Sequence, residues 1–209
     1  MASESAVHVC DSNKFKQAIG YDLAATAAEM IGATLYKSIV LSGNSGIGVL
    51  DALMLLLNYF GCKLEAKAGK RKVGLTIAAC SDVLFAIAYL MAAVFGAFYL
   101  VEDANEPIKG QAVLILACIS LSFTILSATS CPKNNVNGDS ARFKMWLSVG
   151  VGGAAIINGY LVYHFGYRWI EKITTCAAGT GVLIAAVIRL RHLWASEQIG
   201  LLKLTPRSR

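Results

Sequence analysis

Val73-GLTIAACSDVLFAIAYLMAAVFGAFYL-Val101 decides the fold. This stretch carries one charged residue, Asp82, and is long enough to cross a bilayer as a helix, for which about 20 mostly apolar residues suffice. Five further stretches read the same way: Ile19 to Leu41, Gly46 to Cys62, Gln111 to Ser130, Met145 to Phe165 and Trp169 to Leu190. Between the first two stand only Ser42, Gly43, Asn44 and Ser45, which predicts a tight helical hairpin.

Composition points the same way. Of the 209 residues 56% are apolar and 15% charged, and the mean hydropathy is +0.57. A soluble domain needs roughly 25% charged residues to cover its surface. The expected architecture is therefore an all-α, polytopic membrane protein, one bundle of about six transmembrane helices over residues 19–194. A polar N-terminal segment precedes it over residues 1–18, and a short basic tail follows over 195–209. The start shows neither an apolar signal region nor an Arg-rich presequence, so the first span is expected to serve as the insertion signal. The tail segment from Ile199 to Leu204 reads as a membrane-surface stretch.

The net charge of +6 sits in clusters between the apolar stretches. This pattern suits membrane topology rather than nucleic acid. One side receives Lys14, Lys16, Lys63, Lys67, Lys70, Arg71, Lys72, Lys133, Arg142, Lys144, Arg189, Arg191, Lys203, Arg207 and Arg209; the other receives Lys109, Arg168 and Lys172. Fifteen against three places both termini on the cytoplasmic side, or the matrix side of a mitochondrion. Trp146 and Trp194, and the cluster Tyr160, Tyr163, Tyr167 and Trp169, suit the two interfaces. Small residues four apart predict close helix contacts: Ala88, Ala92 and Gly96; Ser148 and Gly152; Ala155 and Gly159; Ala177, Gly181 and Ala185. Pro107 and Pro132 fall after spans and interrupt no helix.

Cys10, Cys62, Cys80, Cys118, Cys131 and Cys176 show no CxxC pair and no disulfide framework, and those inside spans read as packing residues. No nucleophile–base pair, zinc-protease helix or phosphate loop appears. No enzymatic activity and no cofactor are expected, and His164 reads as an interfacial residue. Ionisable residues inside spans are the candidates for function, because burying a charge in lipid is costly. Asp22 and Glu29 lie seven apart on one helical face, with Lys37 near it; Asp51 and Asn58 are likewise seven apart, with Met54 between them. Either these groups pair across helices, or Glu29, Asp51, Asn58 and Asp82 line a polar cleft that holds a metal, with Asp22 as a relay.

Several motifs carry a family resemblance. Ser42-Gly-Asn-Ser-Gly-Ile-Gly-Val-Leu-Asp51-Ala opens the second span, Lys70-Arg-Lys-Val leads into the third, Glu102-Asp-Ala-Asn-Glu-Pro107 leads out of it, and Ser148-Val-Gly-Val151 lies in the fifth. From about Gly20 to Leu202 the layout resembles the transmembrane domain of the cation diffusion facilitator family. The resemblance implies six spans with both termini inside, and a metal site of His and Asp pairs spaced four apart in spans two and five. Carried onto this chain, those positions are Met54 and Asn58, and Ser140 and Lys144. None is a carboxylate or His, and a lysine there would repel a metal. The cytoplasmic metal-binding domain that follows the sixth span in the family has no counterpart in this sequence.

Two functions are therefore expected. The first is a non-catalytic, transporter-derived membrane protein serving as a structural or accessory subunit of a larger assembly. Its partners would be lipid and other membrane subunits or a second copy, and the mitochondrial inner membrane is one candidate location. The alternative is a Zn- or Mn-type divalent cation transporter with a rearranged carboxylate site.

Overall fold

The structure is a computed structural model that describes residues 10–67, 71–99, 110–133, 135–166, 169, 172–174, 176–185, 187, 188 and 191. The acidic turn before Pro107, the turn residues Tyr167 and Arg168, and the tail with Trp194 lie outside the described residues. Every regular element among the described residues is α-helical: α1 Ser12–Tyr36, α2 Ile39–Glu65, α3 Arg71–Tyr99, α4 Gly110–Ser130, α5 Val136–Phe165, and a shorter apolar α6, Lys172–Ala185. Four of them, α2 to α5, are long and apolar enough to cross a membrane.

Helices dominate because a chain in lipid must satisfy its backbone hydrogen bonds within itself. The outward faces are apolar accordingly, with Leu53, Phe60, Ile87, Ile115 and Ile157 all exposed. Inside, α1 runs antiparallel to α2, with Ser12 bonded to Tyr59 at 2.9 Å and Phe15 against the Tyr59 ring. It also runs antiparallel to α4, where Ser127 donates to the Ala18 carbonyl at 2.9 Å. At the N-terminus Asp11 caps α1 through the Lys14 backbone N–H. That bond first, then the Lys14 ammonium, hold its carboxyl below the ordinary value.

α4 and α5 pack through a row of small residues. Gly152 faces Leu121 and Gly159 lies against the Leu114 backbone, while Ala155 packs with Ala117 between them. This is the expected small-residue contact. Gly181 has open space beside it, so its spacing marks no close approach among the described residues.

The hairpin between the first two helices differs from expectation. Ser42 to Ser45 lie inside α2, and the break falls at Lys37 and Ser38. Lys37 takes a left-handed conformation, φ 48°, and the Ser38 hydroxyl caps α2 by accepting from the Leu41 N–H at 3.3 Å. Ser and Gly at 42–46 look like a turn by propensity, but the helix runs through them, with Ser42, Gly43 and Gly46 exposed and no neighbour within 4 Å of a side chain built at either glycine. α5 likewise begins nine residues before Met145, capped by Asn135, whose side chain accepts from the Gly138 N–H at 2.6 Å. Its polar first turns are buried rather than solvated, so Trp146 sits within the helix and does not open it.

The absence of a disulfide is also overturned. Cys10 and Cys62 are joined, with Cα atoms 5.6 Å apart, which pins the start of α1 to the end of α2. Cys80 and Cys118 face outward rather than packing inside. At this same end Asn137 donates to Glu65 at 3.0 Å and to the Gly74 carbonyl at 3.1 Å. The starts of α1, α3 and α5 and the ends of α2 and α4 thus share one end of the bundle. It carries Lys14, Lys16, Lys63, Lys67, Lys72, Lys133 and Arg142, whereas Lys37 lies at the opposite end.

Two outcomes test this packing. Gly159→Ala puts a methyl group 3.1 Å from the Leu114 Cα and should lower stability by about 1–3 kcal/mol, whereas Gly153→Ala, which meets nothing, should hold or raise the melting point in detergent, because alanine is the better helix former. Alkylation followed by mass spectrometry should modify Cys10 and Cys62 only after reduction; labelling of Cys10 in unreduced protein would show that the bond is not formed.

Candidate functional site

α2 turns one face inward: Asp51, Met54, Leu55, Asn58, Tyr59 and Cys62 are all buried. Their spacing of three and four is that of a single helical stripe. Two polar centres are built on this stripe, and the sequence-predicted residues divide between them.

The first centre lies where α2, α3 and α5 meet. Asn58 donates to the Ser81 hydroxyl at 2.9 Å and to its own Met54 carbonyl at 2.9 Å. Lys144 reaches the same Ser81 oxygen at 2.5 Å and forms an ion pair with Asp82 at 2.9 Å. Ser140 donates to that same Asp82 oxygen at 2.5 Å. Asn58, Ser81 and Ser140 are at most 1% exposed, Lys144 2% and Asp82 4%. Asn58, Ser140 and Lys144, three of the four positions carried over from the resemblance, therefore converge on one place. The fourth, Met54, supplies its carbonyl and turns its side chain into the apolar cluster with Phe85 and Tyr89.

A buried Lys–Asp pair gains stability only when further hydrogen bonds satisfy both charges. Here Ser81 serves the ammonium and Ser140 the Asp82 Oδ1 atom. The result is a cation tethered to the chain and held by one carboxylate and a hydroxyl.

The second centre lies one to two turns further along, between α1, α2, α4 and α5. A cavity of about 30 Å³ is lined by Asp22, Thr26, Glu29, Asn44, Asp51, Tyr89, Thr124 and Ser148, among others. Gly48 also lines it, and a side chain there would run into Thr26. Glu29 accepts from Ser120 at 2.7 Å. Asp51 accepts from Ser148 at 2.6 Å, and the Tyr89 hydroxyl lies 3.2 Å from that Ser148 oxygen. Asp22 is buried on the same α1 face as Glu29, as their spacing predicts. Lys37 does not extend that face within the helix, because it sits at the break after Tyr36.

So Glu29 and Asp51 stand at one centre, and Asn58 and Asp82 at the other. Among the described residues, no three His, Cys, Asp or Glu side chains come together as a metal-binding group. Ser81, Ser120 and Thr124 escaped the reading of ionisable residues. Their signal was present in α4, where Val113, Ala117, Ser120, Thr124, Ser127 and Ala128 form the buried stripe of an otherwise apolar helix. His164 lies at the end of α5 against Tyr160, with ring centroids 4.7 Å apart, and touches neither centre. No protein-family model matches the chain, and no curated protein matches it in sequence.

Removing one member of the ion pair strands the other charge. Lys144→Met should cost about 3–5 kcal/mol of stability, and Lys144→Met combined with Asp82→Leu should recover most of it. A loss in the double variant equal to the sum of the Lys144→Met and Asp82→Leu losses, measured by unfolding in detergent, would show that the two side chains do not interact.

Proposed function

We propose that this chain is a transporter-derived, non-catalytic membrane protein that serves as an accessory subunit in a larger membrane assembly. In this reading it crosses the bilayer six times, with the lysine-rich end of the bundle and both termini on the cytoplasmic or matrix side, following the positive-inside rule; the Cys10–Cys62 bond at that end is the one feature that argues for the oxidising side instead. The observation that carries the reading is the Lys144–Asp82 pair with Ser81, Ser140 and Asn58 around it.

The reasoning runs from charge to function. A transporter must bind its ion and release it on the other side, so its site is filled and emptied in each cycle. A lysine ammonium at 2.9 Å from its carboxylate cannot leave. It fills the crossing of α2 and α5 where the resembled family holds its metal, and it would repel a divalent cation brought to the same oxygens. What persists is a rigid bundle with an apolar outer surface, suited to packing among lipids and other membrane helices.

The test has two arms. Purified protein in liposomes should pass neither Zn²⁺ nor Mn²⁺, and the chain in native membranes should migrate with a large complex on a native gel. Metal flux that Asp51→Ala abolishes would instead make the chain a divalent cation transporter working through the Glu29–Asp51 cavity. Migration only as a monomer or dimer would remove the accessory-subunit reading.

A further inference from the structure

The second centre is built almost wholly of acceptors. Asp22 and Asp51 are 3% and 2% exposed. No protein donor reaches the Asp22 Oδ2 or the Asp51 Oδ1 atom. The hydroxyls around them are already committed as donors: Thr26 to the Asp22 carbonyl at 2.9 Å, Thr124 to the Ser120 carbonyl at 3.0 Å, and Ser148 to the other oxygen of Asp51. Their lone pairs are what remain for the cavity. Ser120 spends its proton on Glu29, and Lys144, the cation nearest along α5, is bound to Asp82. Buried carboxylate oxygens without donors are costly in a membrane interior unless a positive charge joins them.

From this we infer that the cavity between α1, α2, α4 and α5 is a binding site for a small, hard monovalent cation, held between Asp22 and Asp51 with oxygens of Thr26, Thr124 and Ser148 completing its shell. Three features select this class. The donor atoms are all oxygens, which suit hard cations rather than thiolate- or imidazole-seeking metals. The volume of about 30 Å³ exceeds the 10–15 Å³ that one water requires, so it admits a dehydrated ion of water size. A hydrated Mg²⁺, which keeps several waters, does not fit. Asp22, Glu29 and Asp51 all line the cavity, but among the described residues they do not converge as a three-carboxylate metal group.

Gly48 belongs to the site by what it omits. Any side chain there would collide with the Thr26 hydroxyl and displace an oxygen of the shell. The inference does not depend on the accessory-subunit reading, since a resident ion can hold four helices together whether or not anything is transported.

Na⁺ is the probe. The full-length protein in nanodiscs is melted in NaCl and in choline chloride of equal ionic strength. Na⁺ should raise the melting point saturably, by about 3 °C or more, and choline should not. Asp22→Asn and Asp51→Asn should remove the Na⁺ response while melting no lower in choline than the parent, because each removes a stranded charge. Thr124→Val keeps the shape of the side chain and should weaken apparent Na⁺ affinity at least several-fold. Equal melting in Na⁺ and choline, with stabilisation only on acidification, would overturn the inference and show that the carboxylates hold protons instead. A Na⁺ response that survives both Asp variants would overturn it too.

Discussion

The constraint on which this bundle depends is that a charge in the membrane interior must meet its opposite within the protein. Lys144 on α5 and Asp82 on α3 are the case in point. They lie 2.9 Å apart and almost fully buried. Each alone would be a heavy penalty in its helix; together they fix how α3 and α5 face each other. Ser81, Ser140 and Asn58 then have their rotamers set, because each has a bond to make at the pair or beside it. The same logic operates at the lysine-rich end, where Asn137 ties α5 to Glu65 and to the Gly74 backbone.

How much of this was legible depends on which physical signal carried it. α3 and α4 were read almost to the residue, because their ends coincide with the ends of apolar runs. The α1–α2 break was misplaced, because Ser42-Gly-Asn-Ser has turn propensity and Lys37-Ser38 does not announce itself. Only Ser38 as a cap, with Lys37 left-handed before it, shows where the chain reverses. The start of α5 was missed for the opposite reason: Asn137, Ser140 and Lys144 look like a solvated approach, and their burial is visible only once α2 and α3 stand beside them. The Cys10–Cys62 bond spans 52 residues, and nothing in cysteine spacing reports a pairing of that kind.

The site was legible by face but not by partner. Spacing of seven correctly put Asp22 with Glu29 and Asp51 with Asn58 on single helix faces. Spacing says nothing about rotation between helices, and rotation is what sends Asp51 to Ser148 on α5 and Asn58 to Ser81 on α3. The four residues grouped as one cleft are thereby divided between two. A sharper reading was available in one respect. Asp82 and Lys144 are opposite charges in the halves of two long apolar helices nearer the lysine-rich end, and such charges are expected to find each other.

The two centres are not independent, because Ser148 joins them. Its hydroxyl donates to Asp51, lies within reach of the Tyr89 hydroxyl and of the Lys144 carbonyl one turn back, and so touches both. Lys144 and Asp51 consequently lie on one short path through α5. A fixed ammonium at one end of that path lowers the local cost of a carboxylate at the other. With Lys144 already matched to Asp82, that relief is incomplete, and Asp22 adds a further carboxylate on the far wall. The tethered cation therefore neutralises the α2–α3–α5 crossing and leaves the negative charge concentrated one to two turns away, where the helices approach closely enough, through Gly48, to enclose it.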